Sequence, residues 1–541
     1  MQRATMAAAG TRVRQLLSFP PIDWLWLSYV VAIAPWLNQS AGPFQQLLRF
    51  VARHRRDRDV DSRMERLRAR IGDELPSHPR YRIALVELCP QLDDICRGLR
   101  RTNEETEIAT IDQDGFLCSR FEPLWPAPRV NTATFLPRSR FSLTVVDRDG
   151  WLGVRKDFAG NRIAFANELE AALDLDAAGC PVAPILGVDF DRLTITFAYI
   201  HGTVVREALA EAGAPMRDRD LRACRSLTRN GKVQRERRTV GRQLIGEVLG
   251  GDTIARIGNV MLAIHRAGYT FEDVKYGNVI IEATTGAPYF VDYERALPLR
   301  DVPHATATYL RDRDAEKLNA LFGTDLLTAR RLRRIRRPVG TGFYSPLYAG
   351  AGIWLGKIWN PDLGMLRWRH MLAENLPIPR GGRILDLGAN NGLNALQMLR
   401  AGAAEAIGVE IDPAAIEQGL FVKRIFEWAD NRGYRFSYIR GSQADVASMG
   451  LGRFDLVTAF CTLYYLSAAE MATTVSDLLQ ITDTLVLQCN DDRSIERSQA
   501  ETYTKASLAF NVELVRTNGF SNVKVVERRG SNRPLVIARR T

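Results

Sequence analysis

One stretch, Arg383 to Asp412, constrains the fold more than any other part of this 541-residue chain. An apolar run, Ile384 to Leu387, leads into a turn from Gly388 to Gly392, and a helical pattern follows. A second apolar run then ends at Glu410. This order predicts a β-α-β unit whose glycine turn lies at the carboxyl end of the first strand, where backbone N–H groups can approach a ligand. An acid at the end of the second strand suits ribose hydroxyls.

The turn lacks the glycine spacing of the dinucleotide-binding fingerprint, but it resembles motif I of class I S-adenosylmethionine (SAM) methyltransferases. The resemblance implies a Rossmann-like α/β domain that binds SAM. Asp386, Gly388 and Gly392 would then surround the methionine part of SAM, and Glu410 would hold its ribose hydroxyls. Asn390 replaces a usual glycine of the motif and counts among the cofactor-binding candidates. The alternative is an ordinary strand–turn–helix without a ligand.

Later segments extend this resemblance, and we assign residues 340–541 to the methyltransferase domain. Phe454 to Cys461 resembles the strand of motif IV, with Phe460 near its end as a candidate cofactor contact. Asp445, after the predicted strand Phe436 to Arg440, could accept a hydrogen bond from the adenine amino group. No obvious histidine base follows motif IV, and the Asn-Pro-Pro-Tyr signature of amino-directed nucleic-acid methyltransferases is absent.

A second pattern of polar residues precedes this domain, between about Val130 and Arg300. A lysine lies on a predicted hairpin strand, a glutamate on the following helix, an Asp-x-Lys-x-x-Asn sequence in a loop and an aspartate after a later strand. These residues are Lys156, Glu168, Asp273, Lys275, Asn278 and Asp292. Phosphoryl transfer needs such groups, because it requires a cation on the phosphates, metal ligands and a carboxylate near the attacking hydroxyl.

The pattern resembles the protein-kinase-like phosphotransferase fold, most closely that of sugar kinases of the lipopolysaccharide type. The resemblance implies a bilobal α+β domain at residues 130–339 that uses ATP and Mg²⁺. Two departures are Phe271, where His or Arg is expected, and Glu294, in place of a glycine. No glycine-rich loop precedes Lys156. The alternative is a degenerate kinase fold that serves as a scaffold.

The same resemblance implies a role for each polar residue. Lys156 would bind the ATP phosphates, and Glu168 would hold Lys156. Asp273 would be the catalytic base, while Lys275 would neutralise charge on the moving phosphoryl group. Two residues would bind Mg²⁺: Asn278 and Asp292.

The chain has a net charge of +11, which favours anionic partners. Arginine-rich stretches at residues 217–242 and 330–337 indicate an anionic acceptor or a membrane surface, or else ordinary solvated helix faces. We expect a glycan or small-molecule acceptor; nucleic acid is disfavoured because no binding motif with interleaved aromatic residues occurs. The scattered cysteines form no Cys-x-x-Cys pair, which predicts reduced thiols and no structural zinc.

Residues 1–129 predict a helical N-terminal region. Its apolar segment, Trp24 to Leu37, is too short to span a membrane. With the arginines that follow, from Arg49 to Arg58, it suits a helix in a membrane interface; a buried core helix is the alternative. Alternating charges from Asp61 to Glu74 predict a solvated helix face. We expect a cytoplasmic protein, in which this region could contact the inner face of the membrane.

The two predicted domains together indicate a bifunctional transferase. The pairing is similar to bifunctional kinase–methyltransferases that phosphorylate and then methylate bacterial O-antigen glycans, although the domain order here is reversed. A phosphate acceptor is already anionic and needs no base, which would account for the absent histidine. The alternative is a lipid or small-molecule methyltransferase whose kinase-like domain is a non-catalytic regulatory or localising module.

Overall fold

The computed structural model describes residues 42–72, 84, 87, 105–111, 117–119, 141–212, 231–335, 347–350, 353–355, 368–491, 504–527 and 533–540. The chain divides into two compact units, Met1–Leu326 and Leu327–Thr541. The domain limits drawn from the sequence, at residues 129–130 and 339–340, lie outside the described residues and stay predictions. The apolar segment Trp24 to Leu37 and residues 217–230 of the first basic stretch also lie outside them.

Two helices, α1 (Gly42–Arg58) and α2 (Val60–Ile71), begin the described part of the first unit. The solvated face predicted from Asp61 to Glu74 is present on α2, where charged residues such as Asp61 and Arg66 are exposed, but the opposite side is not solvated. That side is buried in an apolar cluster through Met64, Leu67 and Ile71. Arg63 is buried too, and its guanidinium donates hydrogen bonds to Glu170. The alternation of charges therefore conceals a packed helix.

Six strands of the first unit form one antiparallel sheet: β1 (Glu105–Ile111), β2 (Leu117–Ser119), β3 (Ser142–Arg148), β4 (Trp151–Asp157), β5 (Ile185–Asp189) and β6 (Thr194–Ala198). Their order in the sheet is β2-β1-β3-β4-β6-β5. The β3–β4 hairpin lies where the sequence predicts it, because Asp149 and Gly150 adopt the positive φ that a two-residue turn requires. Helix α3 (Arg162–Ala177) begins where the Asn161 side chain caps the N–H of Ala164.

The remainder of the first unit is mainly helical. Its elements are β7 (Gly202–Val204), α4 (Val205–Glu211), α5 (Gly231–Arg266), β8 (Tyr269–Thr270), β9 (Val279–Glu282), β10 (Pro288–Phe290), β11 (Leu297–Pro298) and α6 (His304–Phe322). Helix α5 kinks at Gly250, where φ is +73°. Met261, Leu318 and Phe322 belong to the buried cluster that α5 and α6 share. The two helices thereby support the loop between β8 and β9.

The second unit contains a seven-stranded sheet with the order β16-β15-β14-β17-β18-β20-β19. The described part of this unit begins with α7 (Ala329–Arg334), β12 (Leu347–Gly350) and β13 (Ile353–Leu355), which lie outside that sheet. The sheet strands are β14 (Arg383–Leu387), β15 (Glu405–Glu410), β16 (Phe436–Arg440), β17 (Leu456–Phe460), β18 (Thr484–Gln488), β19 (Asn522–Val526) and β20 (Leu535–Arg539). The strands of this sheet pair in parallel except for β20, which lies between β18 and β19 and is antiparallel to both.

Helices cover this sheet: α8 (Leu393–Arg400), α9 (Pro413–Asp430), α10 (Ala468–Leu478) and α11 (Leu508–Thr517). All five residues of β17 are buried, as expected for a parallel strand covered on both faces. The chain crosses from one side of β14 to the other between β16 and β17. Such a switch of direction opens a ligand crevice at the carboxyl ends of the strands. The Rossmann-like α/β prediction for this unit is confirmed.

Candidate functional site

Three charged side chains meet in the first unit. Lys156, on β4, lies 2.5 Å from a Glu168 oxygen of α3 and 2.8 Å from an Asp292 oxygen after β10. Its ammonium also lies over the rings of Phe141 and Phe158. Lys156 and Glu168 are buried, and Asp292 is half-buried. The structure thus brings together the lysine, the helix glutamate and the strand-end aspartate that the sequence singled out.

The charges of this group depend on each other. Burial acts to lower the pKa of Lys156, but the carboxylates of Glu168 and Asp292 outweigh it and raise that pKa. Burial raises the pKa of Glu168 to about 7 against the opposing charge of Lys156. Burial also pushes the pKa of Asp292 upward, yet Lys156 and Lys275 hold it below its usual value. Lys156 is therefore cationic at neutral pH.

The loop between β8 and β9 adds the other three predicted residues. Lys275 Nζ lies 2.8 Å from Asp273 Oδ2 and 3.4 Å from Asp292 Oδ2. Asn278 Nδ2 donates to the main-chain carbonyl of Asp273 at 3.1 Å. Lys275 therefore joins the Asp273 loop to the Lys156 group, and all six polar candidates form one continuous constellation.

Two features that the sequence did not reveal hold this loop. Phe271, at the position where His or Arg was expected, packs edge to face on Phe290 and Tyr293, with ring centroids 5.1 and 5.4 Å away. Asp314 of α6 is buried and accepts hydrogen bonds from the N–H groups of Phe271 and Glu272. An aromatic core and a buried carboxylate thus replace the expected polar side chain.

Three arginines of α1 face carboxylates of the first unit. Arg49 and Arg53 both contact Glu272, and Arg56 contacts Glu170 of α3 at 2.5 Å. These three arginines thus form ion pairs within the first unit, and the membrane contact expected for the N-terminal region stays a prediction. Among the described residues, no helix is both long and apolar enough to cross a membrane.

In the second unit, the predicted glycine turn lies at the carboxyl end of β14. Gly388, Asn390 and Gly392 all have positive φ, at +60°, +49° and +66°. Asparagine tolerates this left-handed conformation better than most side chains, so Asn390 can replace the usual glycine. A Cβ on Gly388 would lie 1.9 Å from Thr462 Oγ1, so no larger residue fits that position without movement.

Glu410, at the end of β15, holds the turn from the neighbouring strand. Its Oε2 accepts from the N–H of Asn390 at 2.7 Å, and its Oε1 accepts from Ile411 and Asp412 at 2.8 and 3.0 Å. A carboxylate offers about four acceptor sites. Three N–H groups occupy three of these sites, which leaves Oε2 able to accept from one more donor.

Asp386 lies deeper in the sheet, where its Oδ1 accepts from Thr458 Oγ1 of β17 at 2.7 Å. Tyr438 of β16 closes the other side, since its hydroxyl donates to the main-chain carbonyl of Asn390 at 2.9 Å. Burial raises the pKa of Tyr438, and the charges of Asp386 and Glu410 raise it further. The phenol therefore stays protonated and keeps donating to the turn. No motif or spacing in the sequence singles out Tyr438 or Thr458.

A family comparison agrees with this geometry. Residues 364–502 match a family model described as a methyltransferase domain. Residues 364–502 therefore belong to a methyltransferase domain. The matched residues lie in the second unit, so the kinase-like interpretation of the first unit stays a prediction.

Similar proteins align with short parts of the chain. The ribosomal protein L11 methyltransferase of Stenotrophomonas maltophilia is 42% identical over 66 residues, which cover 12% of this chain and 21% of that protein. The tRNA U34 carboxymethyltransferase of Methylococcus capsulatus is 36% identical over 72 residues, covering 13% and 21%. A magnesium protoporphyrin IX methyltransferase from Synechocystis, solved with bound SAM, is 19% identical with a TM-score of 0.24, covering 30% and 71%. The chain spans about a fifth of the length of these curated relatives.

The methyltransferase domain places its remaining predicted residues around the same crevice. Asp445 is exposed in a short 3₁₀ helix, Gln443–Met449, that follows β16. Phe460 is buried at the end of β17. Gln443 and Thr462, which no sequence pattern indicated, form reciprocal hydrogen bonds behind the turn at 3.0 and 3.1 Å. The cofactor roles of these positions, like those of the turn residues, remain predictions.

A second group of polar side chains lies where β17 and β18 of the methyltransferase domain end. Arg533 Nη1 lies 3.1 Å from Cys461 Sγ and 2.6 Å from Asn490 Oδ1. Burial raises the pKa of the neighbouring Tyr464 to about 12. Cys461 has a φ of +58°, an uncommon conformation for a side-chain-bearing residue. The end of β17, which resembles motif IV, therefore forms a partly buried surface together with the Arg533 guanidinium.

Proposed function

We propose that this protein transfers a methyl group from SAM to an acceptor bound beside motif IV. The observation that carries the proposal is the Glu410 carboxylate, which fixes the Asn390 turn and retains an acceptor site on Oε2. SAM, when bound, supplies an activated methyl group on a sulfonium. The chain's own contribution is to position and desolvate, and good alignment alone can supply about 7–11 kcal/mol.

The residues around the turn suit the parts of SAM. Gly388 would let the backbone approach the methionine part, with Asp386 buried behind it. Glu410 would accept from a ribose hydroxyl. Ile411 directly follows Glu410 and leaves 66% of its surface exposed, so it offers an apolar face for the adenine. Asp445 would accept from the adenine amino group.

The acceptor that we propose is anionic, a glycan phosphate or a small molecule. Arg533 supports this choice, because a guanidinium recognises carboxylates and phosphates through paired hydrogen bonds. An anionic oxygen needs no base before it attacks the methyl carbon. The sequence shows no histidine directly after motif IV, where Tyr464 and Tyr465 stand. An acceptor whose attacking oxygen is already ionised at neutral pH fits this surface best.

We also propose that the first unit is an ATP- and Mg²⁺-dependent phosphotransferase. The contacts of Lys156 with Glu168 and Asp292 support it, since a cation braced by a helix glutamate is what binding to ATP phosphates requires. Asp292 has a φ of +72°, and such strain tends to occur at functional sites. Asp273 would accept the proton of the attacking hydroxyl. The rival is a non-catalytic module that binds nucleotide or a membrane.

The donor set fits Mg²⁺. Asp292 and Asn278 offer the oxygen ligands that this ion prefers, and Mg²⁺ usually takes one or two protein ligands together with substrate phosphates and water. In the described part of the chain, no group of three or more His, Cys, Asp or Glu residues could hold a metal. A site completed by ATP itself agrees with both facts.

The two activities together suggest an order in which phosphorylation produces the methyl acceptor. The test uses labelled ATP, labelled SAM and membrane or glycan fractions, to find which fraction takes up both labels. Asp273→Asn should abolish methyl incorporation into unphosphorylated substrate, and pre-phosphorylated substrate should restore it. Asp386→Ala should leave phosphate without methyl. Normal methylation of unphosphorylated substrate by Asp273→Asn would show two independent enzymes on one chain.

A further inference from the structure

Glu272 directly precedes the predicted base, Asp273, and its carboxylate, N–H and carbonyl groups each have a hydrogen-bond partner. Its side chain contacts Arg49 and Arg53 of α1, with the Arg49 Nε–Oε1 distance at 2.5 Å and the Arg53 Nη2–Oε2 distance at 2.9 Å. Its N–H donates to Asp314 Oδ1 at 3.0 Å, and its carbonyl accepts from Lys317. Such complete restraint directly beside Asp273 is more than a surface ion pair provides.

The backbone of Glu272 explains why restraint is needed. Its φ is +62°, a left-handed conformation that costs free energy for a residue with a side chain. Conformations of this kind persist only where surrounding contacts impose them. The Glu272 side chain is only 6% exposed, so its buried carboxylate needs a partner of opposite charge. Arg49 and Arg53 supply that partner from a helix more than two hundred residues away in sequence.

Helices α1 and α2 also contact α3, the helix that carries Glu168. Arg56 of α1 and Arg63 of α2 both donate to Asn167 Oδ1, at 3.2 and 2.8 Å. Both also contact Glu170, at 2.5 and 3.0 Å. Asn167 and Glu170 flank Glu168 on α3, the residue that contacts Lys156.

Asn167 also links α3 to the segment that contains the predicted metal ligand, Asp292. Its Nδ2 donates to the main-chain carbonyl of Glu294 at 3.2 Å, two residues after Asp292. Arg56 also contacts Asp301 at 3.1 Å. Helix α1 thus contacts α3, which carries the lysine partner Glu168. It also contacts the loop of the predicted base Asp273 and the segment after the predicted metal ligand Asp292.

We propose that these four arginines, the arginine brace (Arg49, Arg53, Arg56 and Arg63), position the phosphotransfer site by holding Glu272 and α3 in register. The brace residues are positioning residues, because none of them touches Lys156, Asp273 or Asp292 in the described contacts. This inference rests on the proposed phosphotransferase activity of the first unit. It predicts that α1 controls turnover without contributing to nucleotide binding.

The test compares Arg49→Ala/Arg53→Ala with a matched control, Arg66→Ala. Arg66 lies on α2 and pairs with exposed Asp59, so its loss removes an arginine without touching the brace. In the full-length protein, the double variant should lower kcat for Mg²⁺-ATP phosphoryl transfer by about tenfold to a hundredfold, since displacement of a catalytic group by ~1 Å costs on the order of a hundredfold. KM for ATP should stay within about twofold of wild type because Lys156 and Glu168 keep their contact. Arg49→Lys/Arg53→Lys should recover part of kcat.

Hydrogen exchange of residues 270–278 gives a readout that does not depend on activity. Exchange there should rise in the double variant and stay at the wild-type level in Arg66→Ala. If the double variant is unstable, each single variant still keeps one arginine on Glu272 and should show a smaller rise. Unchanged exchange and kcat in the double variant would overturn the brace, as would a rise in KM without a fall in kcat. If wild-type protein transfers no phosphoryl group, the proposed activity fails, and loop exchange still decides the brace.

Discussion

Glu410→Gln is the sharpest perturbation of the SAM site. The substitution keeps the size of the side chain but turns one oxygen into an NH₂ group. Oε1 serves two N–H groups, so the glutamine oxygen should take that place and the NH₂ should take the place of Oε2. A donor would then face the N–H of Asn390, and the acceptor site for ribose would be lost.

The magnitude follows from these bonds. A hydrogen bond to a charged group contributes about 1.5–3 kcal/mol, so losing the ribose contact should weaken SAM binding by roughly tenfold to a hundredfold. Because Glu410→Gln also loses the hydrogen bond from the N–H of Asn390, we expect a loss of SAM affinity near the upper end of this range. Titration calorimetry measures it, with Glu405→Gln as the control. Glu405 starts the same strand and pairs with Arg383, away from the turn, so its variant should bind like wild type. Equal affinity for Glu410→Gln and Glu405→Gln would refute the ribose role.

Three other changes have defined outcomes. Gly392→Ala should lower thermal stability, because a left-handed residue costs about 1–2 kcal/mol and its Cβ would lie 2.5 Å from the Phe436 ring; an unchanged melting temperature would contradict the turn geometry. Asp292→Ala should abolish Mg²⁺-dependent phosphoryl transfer, measured with labelled ATP. Glu168→Gln should flatten the pH dependence of unfolding, followed in urea. Burial raises the folded pKa of Glu168 from 4.5 to about 7, so its stabilising contribution is complete below pH 4.5 and lost as the pH rises through about 7.

The elements around the SAM crevice could be predicted because their signals are local. The strand at β14, the helix after the turn and the acid at the end of β15 follow from apolar runs, glycines and spacing within thirty residues. Lys156, Glu168 and Asp292 could be chosen as candidates because their order along the chain matched a known pattern. Their contacts required the folded first unit.

The supporting residues could not be found in this way. The N–H of Asn390 is 20 residues from Glu410, but the bond of Arg49 to Glu272 joins residues 223 apart, and no periodicity encodes such a pair. The same limit explains why the burial of Arg63 on α2 was not predicted. Alternating charge usually indicates a solvated face, but Arg63 is buried because Glu170 and Asn167 of another helix compensate it.

A crystal structure of the protein with S-adenosylhomocysteine would show directly whether the crevice at the β14 turn binds the cofactor. We predict the ribose on Glu410, the homocysteine part beside Gly388 and Asp386, and the adenine against Ile411. The sulfur should point toward the surface formed by Cys461, Tyr464 and Arg533. A ligand bound elsewhere on the chain, or a crevice that stays empty at a saturating ligand concentration, would rule out the SAM site proposed for these residues.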